Sequence, residues 1–323
     1  MARVAVDAMG GDRGASEIVA GALAARAADV TPVLFGPAGL EAQGLELHVA
    51  PDAIAMHEKP ADAVRAKPQS SLVAAVRSVA EGATDAVVSA GNTGAMLAAG
   101  LLELRRLPGV LRPAIAVPIP TDHGPSVLID AGANADARPE HLLQFATMGA
   151  VFAEEILGVR NPEVRLLSIG EEREKGNQLT LEAHELLAAS GLNFGGNTEG
   201  RDLLTGAADV IVTDGFTGNV ALKAVEGTIR VLLDGLTGEI TATLRGKLGG
   251  LLIRGAARRL RHRLDPETYG GAYLLGLRGI AVIAHGNSSR KAIENAIRLA
   301  ARGVEHDVVA RVAARLPQRA EVV

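Results

Sequence analysis

An α/β fold, three-layered with a mostly parallel sheet and helices on both faces, is predicted by three observations. Apolar runs of four to eight residues alternate with helical patterns through most of the chain. The runs repeatedly end in turns of Gly, Asn, Ser or Thr that open a helix. With 323 residues, 48% of them hydrophobic, the chain is long enough to bury a substantial core, and at 2% aromatic that core is filled by Ala, Val and Leu. Strands buried on both faces fit one large α/β domain over residues 1–323.

Val4 to Asp7 is the first strand, ending in Ala8-Met9-Gly10-Gly11-Asp12, with a helix from about Ala15 to Ala27. Pro32 to Phe35 and Leu45 to Val49 are short strands. Ser70 to Glu81 is helical because Leu72, Val73, Val76 and Val79 share one side, with Ser70 or Ser71 as cap. Asp85 to Ser89 is a strand that empties into Ala90-Gly91-Asn92-Thr93-Gly94, and a helix runs from about Ala95 to Leu104. Ala114 to Val117 and Val127 to Asp130 lie close enough in sequence for an antiparallel pair, and Pro118 and Pro120 suit an edge or strand end. Pro139 to Leu157 is a long helix, Val164 to Ile169 a strand, and Leu179 to Ala189 a helix. Val210 to Thr213 is a buried strand followed by Asp214-Gly215-Phe216-Thr217-Gly218-Asn219, where Thr217 or Asn219 can cap the next helix. Ile280 to Ala284 is the last strand, and a helix to about Ala301 follows His285-Gly286-Asn287-Ser288-Ser289. In parallel sheets ligands sit beyond the carboxyl ends of the strands, so these turns are expected to gather along one rim as an anion site.

Several classes are excluded or disfavoured. Zero cysteines remove disulfides, zinc–thiolate sites and a cysteine nucleophile. A net charge of −4 argues against broad nucleic-acid binding. The chain lacks G-x-G-x-x-G, G-x-x-x-x-G-K-[ST] and G-x-S-x-G, the fingerprints of dinucleotide, P-loop and serine-elbow sites. The eight histidines fall into no metal-ligand spacing, so no metal and no cofactor are expected. The first residues, Met1 to Asp7, already read as a strand and leave no room for a signal peptide, and no apolar run nears the roughly 20 residues of a membrane span. A cytoplasmic protein is expected.

From Thr241 to Leu264 there are seven cations (Arg245, Lys247, Arg254, Arg258, Arg259, Arg261 and Arg263) and no acid. Ile240, Leu244, Leu248, Leu251 and Leu252 recur at helical spacing, while Gly246, Gly249, Gly250 and Gly255 interrupt them. Two helices, about Val225 to Arg245 and Ala256 to Leu264, are expected to form a protruding hairpin over about 225–268 with an apolar, basic tip. Leu248, Leu251, Leu252 and Arg254 are its candidate contacts, to a dimer partner, an anionic membrane surface or another acidic partner.

Asp7-Ala-Met-Gly-Gly-Asp12, Ser89-Ala-Gly-Asn-Thr-Gly-Ala95, Gly170-Glu-Glu-Arg-Glu-Lys-Gly-Asn177, Gly200-Arg-Asp202, Thr213-Asp-Gly-Phe-Thr-Gly-Asn-Val-Ala-Leu-Lys223 and Gly270-Gly-Ala-Tyr-Leu-Leu-Gly-Leu277 together resemble the PlsX family of phosphate acyltransferases. The blocks run in the family's order through nearly the whole chain. The resemblance implies transfer of a long-chain fatty acyl group from acyl carrier protein to inorganic phosphate, giving acyl phosphate for phospholipid synthesis. It also implies a homodimer, peripheral attachment to the inner face of the membrane, and a fold similar to phosphate acetyltransferases and isocitrate-dehydrogenase-like enzymes. A short-chain acyl-CoA phosphate transferase and a metal- and NAD-dependent decarboxylating dehydrogenase are the alternatives.

Phosphate is its own nucleophile near neutral pH, so the reaction needs donors rather than a protein nucleophile. Backbone groups at Gly10, Gly11, Gly94 and Gly218, with Asn92 and Thr93, are candidates to hold phosphate oxygens. Lys175 is the candidate for the developing charge and Asn219 the candidate donor to the thioester oxygen, while Asp214 fixes the turn.

Overall fold

β-Branched and apolar runs set the strands, and the glycine-rich turns between them set where each helix starts. The computed structural model describes residues 1–27 and 30–316. The strands are β1 (Arg3–Asp7), β2 (Thr31–Gly36), β3 (Glu46–Val49), β4 (Ala86–Ser89), β5 (Ala114–Thr121), β6 (Gly124–Ile129), β7 (Val164–Leu167), β8 (Phe194–Thr198), β9 (Val210–Val212), β10 (Ala272–Leu275) and β11 (Ile280–Ile283). The helices are α1 (Ala15–Arg26), α2 (Pro60–Ala66), α3 (Ser71–Ala80), α4 (Thr93–Ala99), α5 (Pro139–Phe152), α6 (Gln178–Ala188), α7 (Gly215–Thr241), α8 (Leu244–Leu264), α9 (Arg290–Glu305) and α10 (Val308–Arg315). π-Helical turns at Gly100–Leu104 and Ala153–Leu157 extend α4 and α5. Ser70 caps α3, accepting from the Val73 amide.

All eleven strands form one sheet in the order β3-β2-β1-β4-β11-β10-β5-β6-β9-β7-β8. The block β3-β2-β1-β4-β11 is parallel, as is β6-β9-β7-β8. Between them every pairing is antiparallel: β11 with β10, β10 with β5, and β5 with β6. Three reversals in succession leave the two parallel blocks running in opposite directions. Their carboxyl ends therefore lie at opposite edges of the sheet, and the single rim expected from the sequence is replaced by two. The expected β5–β6 hairpin is present; β10, which adds the second and third reversals, was not read as a strand.

One apolar cluster on each face holds the helices. On one face Ile18 of α1, Phe145 of α5, Leu187 of α6 and Ile293 of α9 pack against the strands. On the other, Val64, Leu72, Met96 and Leu222 belong to α2, α3, α4 and α7. Full burial of such side chains contributes about 1.5–3 kcal/mol each. Pro118 and Pro120 lie in the carboxyl-end half of β5, the strand end at which they were expected, although β5 itself is not an edge strand. β10 pairs only with Ala114–Ala116, so on that side no ladder bond is asked of either proline.

The hairpin differs from its predicted form. α7 is one continuous helix to Thr241, the turn falls at Ala242–Thr243, and the four glycines lie within α8 rather than in a loop. A side chain at Gly246 would meet the Ile240 carbonyl oxygen, and one at Gly250 would sit 2.8 Å from Ile240 Cγ2. These two glycines serve close packing of the helices and do not break α8. Leu248, Leu251, Leu252 and Arg254 are exposed on it.

Gly149 of α5 shows how tightly the second block is packed. A Cβ there would stand 2.7 Å from Val210 Cγ1 of β9 and 3.0 Å from Ile129 Cγ2 of β6, both fully buried. Helix propensity alone favours Gly149→Ala by about 1 kcal/mol. Overpacking costs about 1–3 kcal/mol. Urea unfolding of Gly149→Ala is expected to show net destabilisation; a gain in stability would mean that α5 is not seated against these strands.

Candidate active site

The edge where β6, β9 and β7 end is built around Asp130. This aspartate closes the apolar run of β6 and is fully buried. Its Oδ1 accepts from the amides of Ile115 (2.9 Å), Gly132 (3.1 Å) and Ala133 (3.0 Å). Its Oδ2 accepts from the amide and the side-chain nitrogen of Asn134, both at 2.8 Å. Burial pushes the carboxyl above the usual aspartate value, while the donors on Ala133, Ile115, Asn134 and Gly132 pull it back. All five bonds use carboxylate lone pairs, so the loop is shaped for the ionised form.

The first turn of α7 lies on that loop. Gly215 donates to the Asn134 carbonyl at 2.8 Å, and a Cβ on it would stand 2.7 Å from Asn134 backbone and from Asp130 Oδ2. A Cβ on Gly218 would run into the Asp130 carbonyl oxygen. The Gly218 amide is spent on the Asp214 carbonyl at 2.9 Å, so this glycine supplies clearance and its N–H is not free for phosphate. The cap of α7 is Asp214, whose carboxylate accepts from the Thr217 amide (2.9 Å) and hydroxyl (2.7 Å), rather than Thr217 or Asn219. Asn219 is thereby left exposed, against Gly132.

β7 is the neighbour of β9, and its carboxyl end leads into the Lys175 loop. Ser168 Oγ donates to the Lys175 carbonyl at 2.9 Å, and the lysine stem lies over Gly170. Glu172 stays beside it: a Cβ on Gly170 would stand 2.9 Å from Glu172 Oε2 and 2.8 Å from Lys175 Cγ. Glu171 pairs with Arg201, the neighbouring Arg173 pairs with Glu185, and Lys175 makes no ion pair among the described residues. Lys175 and Asn219 therefore share one edge.

The remaining predicted residues stand at the other edge. Buried Asp7 accepts from Ser71 Oγ (2.6 Å), Ser89 Oγ (2.7 Å) and the Met9 amide (3.2 Å), and burial raises its carboxyl above the usual value. Gly10 packs on Gly91, where a Cβ would be 2.8 Å from the Gly91 nitrogen, and Gly11 faces Gly286. Asn92 spends its side chain on structure: Oδ1 caps α4 through Ala95, and Nδ2 donates to Met56 and Glu58 carbonyls. Thr93 is exposed, and Gly94 gives room to Pro60 of α2. These residues are not brought beside Lys175 and Asn219 by any hydrogen bond or ion pair. The physical cause is the reversed polarity of the two strand blocks.

α7 joins the two edges. Glu226, three turns along it, has Oε1 3.2 Å from Nε2 of His285 at the end of β11, and Oε2 accepts from Lys223 at 2.8 Å. Asp130, Asn134, Asp7, Ser71 and Ser89 were missed as site builders. A signal existed for two of them: Asp7, Asp130 and Asp214 each close an apolar run before a glycine.

A family model described as fatty acid synthesis protein matches residues 2–311. The chain is 45% identical to the phosphate acyltransferase of Heliobacterium modesticaldum, covering 99% of both chains. It is 47% identical to that of Desulfitobacterium hafniense (strain DSM 10664 / DCB-2), covering 98% of both. Among solved structures, a phosphotransacetylase from Streptococcus pyogenes matches with a TM-score of 0.63 at 16% identity, over 94% of both chains. A branched-chain phosphotransacylase from Enterococcus faecalis matches with a TM-score of 0.62 at 16% identity, over 95% of this chain and all of that one. At such identity the two structures are similar in fold alone. They agree with the α/β class read from the sequence.

Burial pushes the Glu226 carboxyl up, but its contacts with His285 and Lys223 outweigh it and hold it at about 2. A carboxyl depressed on folding stabilises the protein above its unfolded value and loses that contribution as pH falls through the folded one. Glu226→Gln is therefore expected to cost about 1–2 kcal/mol at pH 7. The gap from wild type should narrow from pH 4.5 downward and close near pH 2. Thermal denaturation across pH checks this; a gap independent of pH would show that the charge is not what holds α7 to β11.

Proposed function

The chain belongs to the PlsX family of phosphate acyltransferases, and on that premise we propose how its own residues carry out the transfer. The enzyme moves an acyl group onto phosphate, and the acyl phosphate serves phospholipid synthesis. A phosphate oxygen attacks the thioester carbonyl carbon, a tetrahedral oxyanion forms, and the C–S bond breaks as the carbonyl is restored. The thiolate leaves and takes a proton from solvent. The donor is a long-chain acyl group on acyl carrier protein.

Asn219 donates its side-chain N–H to the thioester oxygen as charge builds there, and Lys175 meets the negative charge of phosphate and oxyanion. The observation that supports this is their common placement. Both are exposed at the carboxyl ends of adjacent strands β9 and β7, with Lys175 unpaired. Asp214 fixes the turn that presents Asn219. Phosphate groups that reach the other edge meet backbone at Gly10, Gly11, Thr93 and Gly94.

The protein works as a homodimer attached peripherally to the inner face of the membrane. Support for attachment is α8, where exposed Leu248, Leu251 and Leu252 stand beside cations that, among the described residues, carry no ion pair except Arg263 with Asp122. Each such cation near anionic lipid contributes about 1 kcal/mol. Among the described residues no helix is long and apolar enough to cross a membrane.

Lys175→Ala and Asn219→Ala are each expected to lower turnover about 10²–10³-fold while remaining folded. The measurement traps acyl phosphate with hydroxylamine after incubation with phosphate and either long-chain acyl carrier protein or acetyl-CoA. Near-normal rates in both variants would overturn the assignment, and product from acetyl-CoA alone would overturn the donor. In liposome flotation, Leu251→Glu with Leu252→Glu should abolish binding to anionic vesicles; retention of binding sinks the membrane reading.

A further inference from the structure

Two arginines at the Lys175–Asn219 edge are held in place without any structural use for their charges. Arg112 precedes β5, and the residues on both sides of it are pinned. The Leu111 amide donates to Oε1 of buried Gln144 at 2.8 Å, and the same side chain donates from Nε2 to the Gly109 carbonyl at 2.9 Å. The Pro113 carbonyl accepts from Asn134 Nδ2 at 2.7 Å, the side chain that also serves Asp130. Arg138 starts α5, and its amide donates to Nδ1 of buried His141 at 3.1 Å. That bond requires a neutral ring. Burial lowers the proton affinity of His141, and the charges of Arg112 and Arg138 lower it further while Glu140 opposes them, so both guanidinium groups and one carboxylate stand near the same imidazole.

Both arginine side chains are exposed, and neither makes an ion pair or hydrogen bond among the described residues. Two guanidinium groups beside the single Glu140 carboxylate leave a net positive charge, which an anion joining them offsets. Asn134 ties this place to the reacting edge: it links Pro113, Asp130 and Gly215, and Gly132 beside it touches Asn219.

We propose that Arg112 and Arg138 form an anion-binding pair for a phosphate group, recognised by guanidinium hydrogen bonds at the same edge as Lys175 and Asn219. Guanidinium groups match phosphate oxygens two at a time, whereas a lysine supplies a point charge. The phosphate group is either inorganic phosphate or the phosphodiester of the acyl donor's carrier arm. Naming these two ligands rests on the phosphate acyltransferase reading; the anion pair itself does not.

The test compares wild type, Arg112→Gln, Arg138→Gln and Arg160→Gln, an exposed cation that precedes β7 at the opposite edge. Thermal melting with and without inorganic phosphate is read beside KM for phosphate and for long-chain acyl carrier protein. If inorganic phosphate is the ligand, it raises the wild-type melting temperature. The shift is then lost in the Arg112 and Arg138 variants and kept in Arg160→Gln, and the KM for phosphate rises about tenfold or more. If the carrier arm is the ligand, the melting shift survives and the KM for the acyl donor rises instead. A surviving shift with neither KM moved overturns the pair. A phosphate-dependent shift that requires Arg112, in a protein that forms no acyl phosphate, keeps the anion pair and removes the activity assigned to it.

Discussion

The Asp130 carboxylate is the point from which the site is built. An ionised carboxylate buried without partners costs several kcal/mol, and five N–H donors offset that cost here. Those donors come from the start of β5 and from three successive residues of the loop after β6. One side chain thus fixes where two strands end and how the chain leaves them. The loop then fixes α7, because Gly215 and Gly218 approach it too closely for any side chain. Asn219 inherits its position from that contact. Its placement follows from packing four residues earlier rather than from anything its own side chain does.

Reversal of strand polarity across β10, β5 and β6 shapes everything else. A parallel block presents its carboxyl-end turns along one edge, and two opposed blocks present two such edges. The protein fills both with the same ingredients: a buried aspartate closing a strand, glycines that allow loops to touch, and a helix start. At the Asp7 edge these ingredients are mostly consumed internally, as the saturated side chain of Asn92 shows. At the Asp130 edge Asn219, Lys175 and the two arginines are exposed, and among the described residues none of their side chains makes an ion pair. α7 spans the interval, and the Glu226–His285 contact ties it to the far block.

Strands and most helices were legible in the sequence because β-branched runs bounded by Gly, Asn and Asp leave few alternatives. Strand direction was not, since a buried run reads the same in either orientation, and four-residue β10 hides between glycines at 270–271 and 276. Glycines in α8 were read as a break because each costs about 1 kcal/mol in an isolated helix. Contact with Ile240 decides otherwise for Gly246 and Gly250, and tertiary contact of that kind is invisible to propensity. Turn chemistry and the family resemblance singled out Lys175, Asp214 and Asn219 as candidates, and of these the turn-fixing role of Asp214 is seen in its cap of α7. Asp130 was passed over because its run had already been assigned as a strand, although its role lies in the residue that ends the run. Arg112 and Arg138 had no motif to mark them. Only the contrast between pinned backbones and unused guanidinium groups singles them out.

α7 couples two demands that would otherwise conflict. Its first turn must be immobile for Asn219 to be useful, and it is clamped by the Asp130 loop. Beyond Leu222 no residue of it is fully buried, though Val225 and Glu226 still pack inward, and it runs out to the basic α8, about 40 Å from end to end. A long-chain acyl phosphate is amphipathic, so its release is easiest beside lipid. Under the proposed function, a rigid helix that begins at the reacting edge and ends at the lipid-facing hairpin sets the distance between them. A flexible linker would leave that distance to diffusion. A helix fixed at its base by glycine clearance, and strapped to the far block at Glu226, holds it without a second domain.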